Sequence, residues 1–215
     1  RAKMEITAGL KDGGTLFLNG DEPLLAGHSS DRYNTLYFGM KNESCDYFAS
    51  NIRSAEQGIV FDMRTPVAEY KNIAINLAGA HNVYNAMVAF SVGLKMNMSE
   101  AQIREGLLSC VPAGMRQNIY EIGGVTVIED CYNASPESMK AAIAVLRQVS
   151  EQKARGRMTA LLGNMYELGR GSERFHEEVG LEFARQGGSA LFTFGELADM
   201  IAGGAMLGGV PCENI

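Results

Sequence analysis

Val127-Ile128-Glu129-Asp130-Cys131-Tyr132-Asn133-Ala134-Ser135-Pro136-Glu137-Ser138-Met139-Lys140 reads as an apolar strand ending in carboxylates, a short polar turn, and the opening of a helix. Ser135 is a capping residue type, and Pro136 suits the first helical position, where no N–H is needed. In α/β proteins, ligand-handling groups gather at the carboxyl end of a strand beside a helix N-terminus. Here an acid (Asp130), a phenol (Tyr132) and an amide (Asn133) fall within four residues. Those side chains would equally satisfy a plain strand-to-helix turn, so this stretch speaks first for an α/β fold and only second for a site.

Downstream, the pattern predicts a strand over 159–162, a helix over 172–186, a strand over 190–194 and a helix from Glu196. A strand pair around Gly123-Gly124 precedes them. Strands alternating with helices imply a parallel, doubly wound sheet. The chain then ends in a Gly-rich tail without a closing strand, so this half is expected to be truncated.

Upstream, the pattern differs. A helix-like start at residues 2–6 leads to a strand over 15–19, ending in Asn19-Gly20-Asp21-Glu22-Pro23. Short alternating segments at 35–38, 47–52, 59–63 and 73–77, separated by polar turns, read as antiparallel sheet. Residues 81–96 carry apolar side chains at helical spacing, and Ser99 with Gln102 predicts a capping box before a second helix. Val111-Pro112-Ala113-Gly114 is the expected linker, dividing the chain into 1–112 and 113–215.

At 215 residues with 46% hydrophobic content, the chain can bury a core without staples. A net charge of −6 provides no basic stripe for nucleic acid. No apolar run approaches the roughly 18 residues of a membrane span, and no signal peptide is visible. The four cysteines, Cys45, Cys110, Cys131 and Cys212, lack paired spacing, which suits reduced thiols and a cytoplasmic setting. The twelve methionines read as core filler.

Three further segments agree with the first stretch: Gly79-Ala80-His81-Asn82-Val83-Tyr84-Asn85-Ala86, Gly114-Met115-Arg116, and Gly163-Asn164-Met165-Tyr166-Glu167-Leu168-Gly169. In this order and at these separations the chain resembles the Mur ligase family, from Arg1 to about Asp199. Within that family it is most similar to the type that adds D-alanyl-D-alanine to UDP-N-acetylmuramoyl tripeptide. The resemblance implies the later half of a central ATPase domain, a mixed sheet with helices, followed by a Rossmann-like C-terminal domain. It also implies ATP and Mg2+ as cofactors, UDP-N-acetylmuramoyl tripeptide and D-alanyl-D-alanine as substrates, and a monomer.

Residue by residue, the resemblance implies that Asn82 and Asn85 contact adenine, with His81 positioned near the nucleotide. Asn82 and Asn85 are three apart, so they share a helical face, and a carboxamide offers the donor and acceptor an adenine edge needs. Without the resemblance, helix capping and solvation would explain both. Arg116 is implied to reach the γ-phosphate of ATP when the domains close, a contact that suits a planar guanidinium. Asp130 is implied to bind the ribose hydroxyls, with Tyr132, Asn133 and Ser135 beside the nucleotide and the incoming dipeptide. Lys3 matches the family lysine that is carbamoylated and helps hold magnesium.

Two departures stand out. Ser135 replaces the usual asparagine before the proline, and Asn164 replaces an aspartate, removing a charge. A phosphate loop of the G-x-x-x-x-G-K-[ST] form is absent, because no Gly-Lys pair occurs in the chain. The stretch from Gly163 to Ser172 reads as a strand-to-helix turn capped by Ser172. Glu173, His176 and Glu177 share a helical face and read as a solvated surface. On these grounds the chain is expected to be an inactive piece of a ligase. A sister Mur or folylpolyglutamate-type ligase, or a non-catalytic nucleotide-binding module of the same fold, remain the alternatives.

Overall fold

The computed structural model describes residues 2–55, 58–111, 114–153 and 156–215, and the side chains of Ala2 and Lys3 lie outside that description. Two compact units are formed, Arg1–Val111 and Pro112–Ile215. The centre of the expected linker, Pro112 and Ala113, also falls outside the described residues.

In the first unit, a 3-10 stretch over Ala2–Gly9 precedes a five-stranded sheet in sequential order. The strands are β1 (Thr15–Asn19), β2 (Asn34–Gly39), β3 (Tyr47–Ser54), β4 (Ile59–Arg64) and β5 (Glu69–Ile75). The expected antiparallel pairing holds for β3, β4 and β5 but fails for β2 with β3, which are parallel, and β1 also lies parallel to β2. The physical reason lies in the connections. Residues 20–33 are long enough for the chain to travel back and lay β2 beside β1 in the same direction. Strands β2 and β3 meet only at Phe38↔Tyr47 and Gly39↔Phe48, so β3 runs on beyond the end of β2.

Strand β4 is the most deeply buried of the five, with Phe61 and Met63 fully inaccessible and Ile59 nearly so. Helix α1 (His81–Lys95) lays Val83, Ala86, Met87 and Phe90 over the sheet, and Phe90 meets the Tyr70 ring edge-on at 4.8 Å. Helix α2 (Glu100–Leu108) closes the layer through Ile103 and Leu107, and the predicted capping box of Ser99 and Gln102 is present. Among the described residues of this unit, Asp62 is the one buried charged side chain. It sits where the ladders on both sides of β4 shift register, accepting from Asn51 Nδ2 and from the Asn72 N–H, each at 2.8 Å. Asn51 and Asn72 both adopt positive φ, which Asn tolerates better than other side chains.

The second unit begins with an antiparallel ribbon of β6 (Asn118–Ile122) and β7 (Val125–Glu129). The loop between them is Gly123-Gly124, both at positive φ, the conformation a two-residue hairpin turn requires. Helix α3 (Pro136–Gln152), β8 (Thr159–Gly163), α4 (Ser172–Arg185), β9 (Ala190–Phe194) and α5 (Ala198–Leu207) follow. Strands β8 and β9 are parallel with α4 as the crossover, as the alternation predicted. The single doubly wound sheet is not realised among the described residues, since β7 pairs with β6 and not with β8. Alternation signals a crossover without specifying which edges meet, and the tight glycine turn offers β7 a partner at little loop-closure cost.

Helices α4 and α5 approach through glycine. A Cβ on Gly180 would lie 1.9 Å from the Ile201 carbonyl oxygen, and one on Gly204 would lie 2.1 Å from that of Glu177. The expected solvated face of α4 is corrected at His176, which is completely buried. The Met165 N–H donates to His176 Nε2 at 2.9 Å, and Nδ1 bonds the Ser172 carbonyl at 2.7 Å. A backbone N–H can only donate, so Nε2 carries the lone pair and Nδ1 the proton. Ser172 is not the cap: it is the first residue of α4, and Gly171 precedes it without a side-chain bond.

Candidate functional site

In the first unit, the predicted nucleotide residues stand at the start of α1. Gly79, at φ +86°, turns the chain out of the loop after β5, and Ala80 takes the N-cap position with no side-chain bond. Asn82 is buried, but it does not cap the helix. Its Nδ2 donates back to the Ala78 carbonyl at 2.7 Å, and its Oδ1 accepts from Asn85 Nδ2 at 3.1 Å. The structure thus brings Asn82 and Asn85 together, with Asn85 and His81 on the exposed side. An exposed carboxamide steadied by a buried one is a fitting edge for a planar heterocycle with alternating donors and acceptors.

What holds this helix start is a residue that sequence reasoning noted only as part of a turn. Asp21, just past β1, accepts the Tyr84 hydroxyl at 2.6 Å and the backbone N–H groups of Met40 and Asn42, each at 2.7 Å, with Lys41 also donating. Burial alone would raise its pKa, but the Tyr84 hydroxyl and the three backbone donors outweigh burial and hold the carboxyl below its ordinary value. The Tyr84 phenol is pushed up, by desolvation and by the carboxylate it donates to. Gly39 leaves room for this arrangement, since a Cβ there would lie 2.8 Å from Asp21 Oδ1. The legible signal was an acid at the carboxyl end of a strand; its partners were not legible.

In the second unit, Asp130 is exposed directly after β7. The ribbon register pairs Asn118 with Glu129, so the segment before β6 runs alongside the turn after β7. The Cys131 N–H donates to the Met115 carbonyl at 3.0 Å, and Asn118 Nδ2 donates to the Gly114 carbonyl at 2.9 Å and to Glu129 Oε2 at 3.3 Å. The arm is shaped by two left-handed residues, Gly114 and Gln117. Its product is a stack: the Arg116 guanidinium lies over the Tyr132 ring, 4.1 Å from the centroid.

The rest of the turn is local. Asn133 Oδ1 accepts the Ala134 N–H at 3.0 Å. Ser135 caps α3 in a reciprocal box with Ser138, and Pro136 occupies the first turn, as read from sequence. The Ser135 hydroxyl therefore already serves the helix. Asn164 Oδ1 accepts the Ala198 N–H at 2.9 Å at the start of α5, a bond an amide oxygen makes as well as a carboxylate oxygen does. The Lys3 side chain lies outside the described residues. Among the described residues no group of three or more His, Cys, Asp or Glu could hold a metal ion.

The family described as Mur ligase middle domain matches residues 1–93, and that described as Mur ligase, glutamate ligase domain matches residues 115–212.

The chain belongs to the Mur ligase family.

This Mur ligase chain is 35% identical over 206 residues to the UDP-N-acetylmuramoyl-tripeptide--D-alanyl-D-alanine ligase of Bacillus subtilis, covering 95% of the chain and 43% of that relative. The Escherichia coli ligase of the same name is 30% identical over 184 residues, covering 84% of the chain and 39% of the relative. Among solved structures, MurF from Acinetobacter baumannii superposes with a TM-score of 0.82 at 27% identity, over 96% of this chain and 44% of that one. MurF from Thermotoga maritima, in complex with ADP, gives 0.74 at 25% identity, over 93% and 44%. The chain thus spans less than half the length of the relatives it matches. Among the described residues no helix is long and apolar enough to cross a membrane.

Proposed function

We propose that this chain is the nucleotide- and acceptor-handling part of an ATP-dependent ligase that joins D-alanyl-D-alanine to UDP-N-acetylmuramoyl tripeptide in peptidoglycan precursor synthesis. The observation that carries the reading is the 35% identity to the Bacillus subtilis ligase along nearly the whole chain. The exposed acid, amide and arginine at the carboxyl end of β7 support it.

ATP would supply the γ-phosphoryl group that converts the tripeptide carboxylate into an acyl phosphate, with ADP leaving, and the dipeptide amine would then displace inorganic phosphate to form the amide. The chain's own residues bind and orient. Asn85, steadied by Asn82, offers a donor and an acceptor to adenine, with His81 beside it. Asp130 accepts from the ribose hydroxyls. Arg116 brings its fork of N–H groups to a phosphate and offsets the negative charge that accumulates during transfer. Asn133 is the residue assigned to the incoming dipeptide in this reading. Lys3, once carbamoylated, is the magnesium-associated residue of this reading. The localisation that goes with it is the cytoplasm, and the form a monomer.

The 215-residue chain alone is expected to be inactive, because it contains no Gly-Lys pair and hence no phosphate loop of the lysine type. The test is phosphate release from ATP by the longer protein carrying this chain, given UDP-N-acetylmuramoyl tripeptide and a panel of amines. Release that depends on D-alanyl-D-alanine supports the reading. Release with another amine moves the protein to a sister ligase, and no release with any amine defeats the enzymatic reading.

A further inference from the structure

We propose that Tyr132 is a positioning residue for Arg116, holding the guanidinium flat so that its in-plane donors remain available to an anion. The inference rests on the reading in which Arg116 meets a nucleotide phosphate. It changes the part given to Tyr132, which the resemblance placed beside the nucleotide and the incoming dipeptide.

The geometry leads there in steps. Arg116 is exposed, and among the described residues it makes no ion pair, although Arg104, Arg147 and Arg185 each have a carboxylate partner. An arginine meant to receive a phosphate is poorly held by a carboxylate, because the carboxylate occupies the same N–H fork and cancels the charge. An aromatic ring works differently: it attracts the flat face of the guanidinium through the ring quadrupole and leaves all five N–H groups at the edge. Tyr132 supplies such a ring, 4.1 Å from the guanidinium.

Core packing does not explain the stack. Tyr132 is 62% exposed. An unattached tyrosine and arginine at the surface would each sample several rotamers, and here the backbone brings both to one place. The Cys131 N–H to Met115 carbonyl bond and the Asn118 bonds to Gly114 and Glu129 tie the arm to the strand end immediately before Tyr132. The arginine arm and the β7–α3 turn are therefore one preorganised piece, and a ligand that displaces Tyr132 would also release Arg116.

The experiment uses the longer ligase carrying this chain, with Arg116→Ala, Tyr132→Leu and Tyr132→Phe compared for kcat/KM toward ATP and KM for the dipeptide. Tyr132→Leu is expected to lower kcat/KM for ATP about two- to fivefold, the scale of an exposed cation–π contact. Tyr132→Phe, which keeps the ring and loses the hydroxyl, should recover most of that loss, and KM for the dipeptide should not rise in either. In the 215-residue chain, the Arg116 side-chain proton resonances should lose their ring-current shift in Tyr132→Leu and keep it in Tyr132→Phe. If Tyr132→Phe is as impaired as Tyr132→Leu, or if only the dipeptide KM rises, the hydroxyl or a substrate contact is what matters and the proposal is overturned. An impaired Arg116→Ala beside an unimpaired Tyr132→Leu overturns the proposal alone. An unimpaired Arg116→Ala removes the phosphate reading and the proposal with it.

Discussion

The Tyr84 hydroxyl donates to Asp21 Oδ2 at 2.6 Å, joining the first turn of α1 to the loop that leaves β1. That bond anchors the helix start on which Asn82 and Asn85 stand. Asp21 also collects backbone N–H groups from residues 40–42, so one carboxylate orders three segments of the first unit. Tyr84→Phe removes one hydrogen bond to a charged group while keeping the ring against Phe38. It should cost about 1–2 kcal/mol in urea unfolding. The Asp21 carboxyl lies below its ordinary pKa, so its contribution is present above the unfolded-state pKa and is lost as pH falls through the folded value. Removing a donor moves the folded pKa upward, so the variant should lose stability at a higher pH than the parent. Identical acid unfolding curves would contradict this.

Asp62 offers a second acid-sensitive point. Its carboxyl is lowered to about 2 by the Asn51 side chain first and then by the Asn72 N–H, with Lys71 adding to them. A depressed folded pKa means stability that is complete above the unfolded value near 4 and declines as pH drops toward 2. Asp62→Asn should be less stable at neutral pH and show a shallower decline over that window. Parallel unfolding curves for parent and variant between pH 4 and 2 would show that the carboxylate is not linked to folding.

In the second unit, His176→Phe keeps much of the buried volume but leaves the Met165 N–H without its acceptor. A buried donor left unsatisfied costs about 1–3 kcal/mol, which a shift in the urea midpoint at unchanged slope would report. A midpoint within error of the parent would mean that the 164–168 segment finds another acceptor.

Three glycines in two helices separate close packing from helix propensity. Gly180→Ala and Gly204→Ala force a Cβ against backbone carbonyls that cannot move independently, so each should destabilise by about 1–3 kcal/mol or more. Gly203→Ala meets nothing within 4 Å in α5 and should stabilise by about 0.5–1 kcal/mol. Opposite signs at neighbouring positions 203 and 204 in thermal melts are the expected result; equal effects would remove the close-approach account.

For nucleotide handling, Asn85→Ala and Asp130→Ala in the longer ligase should each raise KM for ATP about five- to tenfold, the value of one hydrogen bond of about 1–1.4 kcal/mol. KM for the dipeptide should change little. A rise confined to the dipeptide would reassign the residue to the acceptor side.

Local chemistry was legible along the chain. Ser135 with Pro136 marked the start of α3, Ser99 with Gln102 marked α2, and Gly123-Gly124 marked the ribbon turn, because each signal and its structural partner lie within about four residues. The strand-to-helix turn at Asp130 was readable for the same reason. The parallel pairing of β1 with β2, the separation of the β6–β7 ribbon from β8–β9, and the burial of His176 were not.

The sequence by itself determined the elements, the two differently patterned halves, and the residue types offered at the end of β7 and the start of α1. Only the tertiary structure decided who meets whom: Asp21 with Tyr84, Asp62 with Asn51 and Asn72, Met165 with His176, and Arg116 with Tyr132. Capping and turn preferences are properties of a few consecutive residues. A hydrogen bond or ring stack between residues 10 to 63 positions apart exists only once strand register and helix packing have brought them within reach.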